Sequence, residues 1–560
     1  MKQGNRYTII VSIIYFICVV LLVLKYDWFI NSNDFFATEG LALFQFTLNK
    51  YAFTSPYYPF GYPLLMNIIS LFTRNYLLTV KLICAFSGAA LLYIAYLLSF
   101  SIFKNHTYAL ITSMLLALNN LILFGAMGED PDMLLSVIML YAVYVAIKAK
   151  DNNKYWFYAG LLVGIASLIR QHGIALAGLL LPVIFIEECN HGKKGVIKAI
   201  IYLIIGSIAG ALPQFLLNTI AHTNPLYSYS TQTGTVLLAK EGLDIFNPAF
   251  LKQLRGSMII TFLHHPIRFI SAWAKVLYVY ATKTGLMYFI IAAILLLISN
   301  KDKRKDVLSI SIIVFGFLSL VSLTYYTEKG TYLPVALIYV IIIPAIGWLI
   351  NVSKNRLLRI FVLVLSMFVL VLIPLKNSSS LVEHLNTLRI DNIKLSKVLT
   401  DNGMTSPMQC LTTSMNVTFF DAIHNPIHPK DFVLPQQFII SNKILFEELN
   451  IDRLKMLTTI KLFSTMGFYA PYIAPTGGIY PLDLKFRELI PEIWFTNIFN
   501  LEQVMRRFNI KFFILDAQWA NAYQPLFPDV SRSLSLGPDF KLLLALPQEY
   551  IYVFELKDNQ

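Results

Sequence analysis

Eleven apolar runs, separated by loops whose positive charge alternates, constrain this chain more than any other feature of it. The runs lie near 8–25, 77–103, 107–124, 132–148, 155–170, 173–188, 196–218, 284–299, 306–325, 331–350 and 356–375. A membrane-spanning helix needs roughly 20 apolar residues, with a working range of about 17–25. If Lys2 and Arg6 are placed in the cytoplasm, every second loop carries the basic residues. Those loops hold Lys104; Lys148, Lys150 and Lys154; Lys193, Lys194 and Lys198; Lys301, Lys303, Arg304 and Lys305; and Lys354, Arg356 and Arg359. The alternate short loops are nearly free of Lys and Arg, which is the positive-inside pattern. A wrong span count would scramble that alternation. The chain therefore reads as a polytopic α-helical membrane protein with about 11 transmembrane helices and a cytoplasmic N-terminus, in the cell (inner) membrane.

Composition agrees. Of 560 residues, 56% are hydrophobic and only 14% charged, against roughly 25% charged in soluble domains. The net charge of +13 sits in short loops between apolar runs, as topology determinants do. A phosphate-binding stripe would gather it on one face, so nucleic acid is not an expected partner. The first apolar run is about 17 residues long with no small-residue cleavage site after it, so it reads as a retained span rather than a signal peptide. Of Cys18, Cys84, Cys189 and Cys410, only the last falls in the polar tail. A disulfide within the tail is excluded, and no Cys pair has metal-ligand spacing.

This topology puts residues 26–76, 125–131, 219–283 and 326–330 outside, with everything after about 376. Residues 35–50 read as a short amphipathic helix, and Tyr57–Pro63 as a turn rich in Pro and aromatics. Leu64–Phe72 is too short to span and is expected in the interface, as is segment 262–283 with its mixed Trp, Tyr, Lys and His. From Asn377 the long apolar runs stop, and β-like runs appear at Lys511–Asp516, Lys541–Leu546 and Tyr550–Leu556, after a helical stretch at Leu381–Leu399. The expected organisation is a transmembrane domain over 1–376 and a C-terminal extracytoplasmic α/β domain over 377–560.

Carboxylates at membrane depth are costly and mark function. Asp34 follows the first run, and Glu129-Asp130-Pro131-Asp132 precedes the fourth, both on the outer side. Asp34 has two compatible readings: an N-cap for the amphipathic helix, and a general base or metal ligand at the membrane surface. Asp130 as a cap, Pro131 at the first helical position and Asp132 complementing the dipole account for three residues of the second cluster. Glu129 is left without such a local role and is the preferred site residue. Arg170 ends its span against the positive-inside trend, either snorkelling to the interface or contacting a phosphate. His172 follows it; a lone His more often serves structure.

Tyr58-Pro59-Phe60-Gly61-Tyr62-Pro63-Leu64-Leu65, about 25 residues after Asp34, resembles the first outer loop of the GT-C membrane glycosyltransferases. The likeness is greatest to the dolichyl-phosphate-mannose–protein mannosyltransferase and aminoarabinose transferase branch, where an Asp after the first span is followed by a P-x-x-Y-P-L-type motif. The chain departs from the pattern at Phe35, where the family has an Asp-Glu pair; Glu39 is the nearest Glu. Gly128–Leu134 resembles the family's second acidic motif, and the segment Gly160 to Gly173, with Gly164, Arg170 and His172, also fits. Tyr325–Pro334 resembles its late outer loop, with Lys329 near the place of an Arg-Tyr pair. The resemblance covers about residues 5–375.

What the resemblance implies is an inverting transfer of a sugar from a polyprenyl-phosphate-linked donor to an acceptor hydroxyl of a lipid, glycan or protein. Asp34 and Glu129 would be the catalytic carboxylates. Tyr58, Tyr62, Asp132, Arg170, His172 and Lys329 would bind substrate. No cofactor is required by the residues, and a divalent metal stays open because ligands from separate loops leave no compact motif. The rival expectations are a membrane transporter or lipid flippase, and a scaffold acting through its tail. Transporters commonly carry repeat symmetry between halves; no alike halves are visible here.

Overall fold

A computed structural model describes residues 2–26, 38, 42, 45, 53–54, 59–226, 262–263, 266–324, 328–403, 410–412, 502, 505–506, 511–516, 536–546 and 551–557. The expected helix over 35–50, Asp34, Glu39 and Tyr58 lie outside the described residues, apart from isolated positions of that helix. The described chain forms two compact units, one built on the helices up to Val382, the other from Glu383 onward.

The first unit is helical. Its elements are α1 (Lys2–Tyr26), α2 (Gly61–Thr73), α3 (Tyr76–Phe103), α4 (His106–Ala117), α5 (Asn120–Met127), α6 (Asp132–Lys148), α7 (Lys154–Ile169), α8 (Ala175–Glu188) and α9 (Gly192–His222). They continue with α10 (Pro266–Thr284), α11 (Leu286–Ser299), α12 (Arg304–Thr324), α13 (Tyr332–Val352) and α14 (Arg356–Met367), then α15 (Ile373–Asp401). Among the described residues, seven helices are long and apolar enough to cross a membrane, or up to nine if each of two bent pairs is one span. The chain is thus an integral multi-pass membrane protein. The runs near 132–148 and 155–170 form α6 and α7, of 17 and 16 residues, short of the 18 that the count of seven requires.

Asparagine starts several of these helices. Asn75, Asn105, Asn119 and Asn355 each accept a backbone N–H of the first turn, which satisfies donors that have no partner within the helix. At Asn119 this has a consequence for the expected span 107–124. The run is broken between α4 and α5, which bend by 61°. Asn119 Oδ1 takes the amides of Leu121 and Ile122 at 3.0 and 3.3 Å, starting a new helix in the middle of an apolar run. The expected helix over 262–283 and the span after it are likewise separate elements, α10 and α11, bent by 73°. Gly285 between them has φ +76°, a left-handed conformation that glycine adopts without a Cβ penalty.

Helices α7 and α9 make the closest seam. A Cβ added at Gly160 would lie 2.9 Å from Ser207 N, and one at Gly206 2.9 Å from Leu161 N. Gly164 and Gly210 face each other in the same way: a Cβ on Gly210 would sit 2.9 Å from Gly164 Cα. Two Gly-x-x-x-Gly pairs thus let the backbones touch, as membrane helices do when they have no hydrophobic drive to associate. Helix α6 packs against α3 and α7, α8 against α12, and α13 against α3, α4, α6 and α11. Along α13 every residue from Tyr332 to Ala345 is buried.

Because consecutive helices run in opposite directions, α6 to α8 have two distinct ends. At one, Trp156 Nε1 donates to Glu188 Oε1 at 2.8 Å, Ser309 Oγ donates to Glu187 Oε1 at 2.9 Å, and Lys150 pairs with Asp306 at 3.0 Å. These bonds tie α7, α8 and α12 together beside the basic loops. The other end carries Asp132 and Arg170.

In the second unit, strands β1 (Cys410–Thr412), β2 (Phe512–Asp516), β3 (Phe540–Leu546) and β4 (Ile551–Leu556) form one sheet in the order β1-β2-β4-β3. Strand β1 pairs parallel with β2, whereas β2 and β3 both pair antiparallel with β4. Leu395 and Leu399 at the end of α15 pack on Phe512 and Val553. The three β-like runs and the helical stretch Leu381–Leu399 are therefore found as elements. Helix α15 runs unbroken through residue 376.

Candidate active site

The turn between α5 and α6 is the centre of the site. Glu129, Asp130 and Asp132 are all buried, at 0%, 0% and 2% exposure. Asp130 Oδ1 accepts the amide of Asp132 at 3.0 Å. This is the local capping role that its position before a proline and an apolar run indicates. Cys84 Sγ, on α3, donates to the Asp130 carbonyl at 3.2 Å and fastens the turn to that helix.

Buried carboxylates need cations or hydrogen bonds, because a lone charge in a dry site is far too costly. Among the described residues, two cations are supplied. Lys81, in the second turn of α3, places Nζ 2.9 Å from Glu129 Oε1, both side chains buried. Arg170, just past the end of α7, places Nη2 3.0 Å from Asp132 Oδ2, again with both buried. His172 Nε2 lies 3.6 Å from the other oxygen of Asp132.

Arg170 reaches Asp132 because α7 stops at Ile169. The Arg170 backbone is extended, with φ −145° and ψ 139°, and the short 3-10 helix Gln171–Ile174 follows before α8. Gly173 lies directly against Ala166, where a Cβ would meet the Ala166 carbonyl carbon at 2.6 Å. This turn is therefore folded tightly back on α7.

Tyr62, at the start of α2, is fully buried within electrostatic reach of Cys84, Asp130 and Asp132. Its helix abuts the end of α7: a Cβ on Gly61 would lie 2.7 Å from Leu168 O. The approach to α2 is held by Gln214 of α9, which accepts from Phe60 N at 3.2 Å and donates to Phe53 O at 2.9 Å. Asn67 donates to Ala42 O at 2.8 Å and accepts from Tyr76 at 2.8 Å. The 3-10 turn Glu328–Thr331, with the backbone of Lys329, packs against α5 and α6; the Lys329 side chain is outside the described residues.

Of the sequence-predicted set, Tyr62, Glu129, Asp132, Arg170 and His172 come together, and Asp34 and Tyr58 lie outside the described residues. Three residues join them that sequence reasoning passed over: Lys81, Cys84 and Gln214. Lys81 had a signal, since it is a lone cation inside the apolar run 77–103. Cys84 and Gln214 had none, because their roles depend on partners 46 and 154 residues away. Among the described residues, no group of three or more His, Cys, Asp or Glu is placed to hold a metal ion.

Comparison with known proteins bears on this same stretch. Residues 58–215 match the family model of dolichyl-phosphate-mannose-protein mannosyltransferase; that stretch contains every described site residue except Lys329. No curated protein matches the chain significantly. The archaeal oligosaccharyltransferase AglB from Archaeoglobus fulgidus, solved with an inhibitory peptide and a dolichol-phosphate, superposes with a TM-score of 0.50 at 12% identity, over 92% of this chain and 70% of that one. ArnT from Cupriavidus metallidurans, bound to undecaprenyl phosphate, gives 0.44 at 13% identity, over 97% of each. The resemblance to the GT-C glycosyltransferases that the motifs carry is thus found by the family match as well, and the likeness to AglB shows the fold.

Proposed function

We propose that this chain is a GT-C-type membrane glycosyltransferase that moves a sugar from a polyprenyl-phosphate-linked donor to an acceptor hydroxyl on the extracytoplasmic side. The observation that carries the reading is the buried cluster of Glu129, Asp130 and Asp132 with Lys81 and Arg170, inside the stretch that matches the mannosyltransferase family. AglB was solved with a dolichol-phosphate, which supports the donor class.

In the proposed step, Asp34 takes the proton of the acceptor hydroxyl and its oxygen attacks the anomeric carbon. The bond from that carbon to the donor phosphate oxygen breaks with inversion, and its electron pair leaves on the polyprenyl phosphate. Cations act most strongly where that charge develops in a water-poor site. Lys329, whose turn packs on the helices flanking Glu129, would hold the leaving phosphate. Arg170 would do so by sharing its guanidinium between the phosphate and Asp132, since one guanidinium carries five N–H donors. Glu129 and Asp132 would orient the acceptor, with His172 beside Asp132. Tyr58 and Tyr62 would line the donor cleft. A divalent ion used by the reaction would have to draw on ligands beyond the described residues. The eleven-span topology, the extracytoplasmic site and the C-terminal α/β domain over 377–560 belong to the same proposal. The excess of basic loops at the end of α6 to α8 opposite Asp132 and Arg170 supports it.

The test is transfer from radiolabelled polyprenyl-phosphate sugars in membranes carrying the wild-type chain, Asp34→Asn or Glu129→Gln at equal abundance. Labelling that depends on the donor and is lost in both variants is expected. Labelling by the wild type that survives both substitutions refutes the assigned roles. No labelling with any donor and any lipid, glycan or protein acceptor returns the chain to the transporter reading.

A further inference from the structure

Lys81 belongs to the buried cluster but has no part in the proposed step. It is 3% exposed, lies within an apolar helix, and places its ammonium 2.9 Å from Glu129. A buried ion pair is poor value for stability, because desolvation of both charges offsets their attraction, and an apolar pair of similar volume often does as well. Charges kept at membrane depth therefore call for a functional reason.

The surroundings of Glu129 indicate which. Lys81 and Cys84 on α3 lie by Glu129, while Tyr62 on α2 lies by Asp130 and Asp132 of the same turn. Arg170 and His172 both address Asp132. Lys81 pairs with Glu129. Asp130 and Asp132 on the same turn repel the Glu129 carboxylate, and the ammonium beside it offsets that repulsion. It also aims the carboxylate, since α3 holds Lys81 and Cys84 on successive turns and Cys84 anchors the Asp130 carbonyl.

We propose that Lys81 is a positioning residue of the transfer reaction: its ion pair fixes the Glu129 carboxylate in the orientation the acceptor meets, without itself touching the sugar donor. This rests on the glycosyltransferase reading above.

The experiment compares transfer by the full-length chain and four variants in membranes at matched abundance. They are Lys81→Met, Lys81→Arg, the double variant Lys81→Met/Glu129→Gln, and the charge swap Lys81→Glu/Glu129→Lys. Lys81→Met is expected to lose about 10- to 100-fold in kcat, the usual cost of losing a group that orients a functional one, with the donor KM unchanged. Lys81→Arg should recover most of that loss. The double variant should be no worse than Glu129→Gln alone, because the lysine acts through the glutamate. The swap should restore abundance but not transfer.

Three results overturn the proposal. Full transfer by Lys81→Met leaves the pair without a role. A rise in donor KM at unchanged kcat makes Lys81 a donor contact. Transfer restored by the swap makes the pair a structural brace, indifferent to which side carries the acid. If Lys81→Met is not recovered at wild-type abundance, Lys81→Arg and the swap decide the matter. A wild-type chain inactive with every donor sinks the glycosyltransferase reading itself, and this role with it; an active wild type with an unimpaired Lys81→Met sinks only this role.

Discussion

Gly164→Leu would strike the α7–α9 seam where the two backbones touch. A Cβ on Gly164 would lie 2.7 Å from both Ala211 N and Gly210 Cα, and closer still to Ser207 O. Ordinary van der Waals contact begins at 3.4 Å, so the two helices would have to part by at least about 0.7 Å for the Cβ alone, before the rest of the leucine is placed. The obstacles are backbone atoms, which cannot swing aside as a side chain would. Overpacking a well-packed interior costs about 1–3 kcal/mol, and a backbone obstacle argues for the upper end. The damage should reach the site, because α7 carries Arg170 directly beyond its last turn. A shift of that size along the Arg170–Asp132 bond would take it from 3.0 Å to about 3.7 Å, beyond hydrogen-bond reach. The assay is thermal unfolding in detergent together with sugar transfer at matched protein. A fall in Tm of about 3–6 °C is expected, from a few kcal/mol spread over a large domain, with transfer reduced further than stability alone accounts for. Gly178→Leu is the control, since a Cβ there meets nothing within 4 Å. If Gly164→Leu behaves like Gly178→Leu in both measurements, the close seam and its link to Arg170 are wrong.

Arg170→Met should destabilise the chain by about 3–5 kcal/mol by leaving Asp132 buried without its ion-pair partner; Asp132→Leu/Arg170→Met should recover most of that stability, read by Tm, while transfer stays lost. Trp156→Phe removes a donor from fully buried Glu188 and should cost about 1–3 kcal/mol. Activity per folded molecule should be unchanged, because that brace is at the far end of α7 from Arg170. Gln214→Leu deletes both bonds to the segment before α2 and should speed limited proteolysis between residues 53 and 60 without altering the helix content measured by circular dichroism.

How much of this was legible beforehand depends on whether the cause is local. The positions of the apolar helices followed from runs of hydrophobic residues, and the capping by Asp130 from its place before Pro131 and Asp132. The small-residue spacing at Gly160 and Gly164 showed that α7 packs closely; it could not show the partner, Gly206 and Gly210 on α9. The break at Asn119 was missed because hydropathy averages over a window, whereas one side chain taking two backbone amides ends a helix on its own.

The sequence by itself determined that this chain crosses a membrane repeatedly and which family its motifs resemble. Each depends on composition, charge and spacing along the chain. Only the tertiary structure decided which charges meet. It paired Lys81 with Glu129 and Arg170 with Asp132, sites 48 and 38 residues apart, at 2.9 and 3.0 Å. Pairing across that distance is set by how α3, α6 and α7 pack, and packing is a property of surfaces assembled from separate helices rather than of any one run of residues. The cost of a buried charge says that a partner must exist; the packing of the helices says which one.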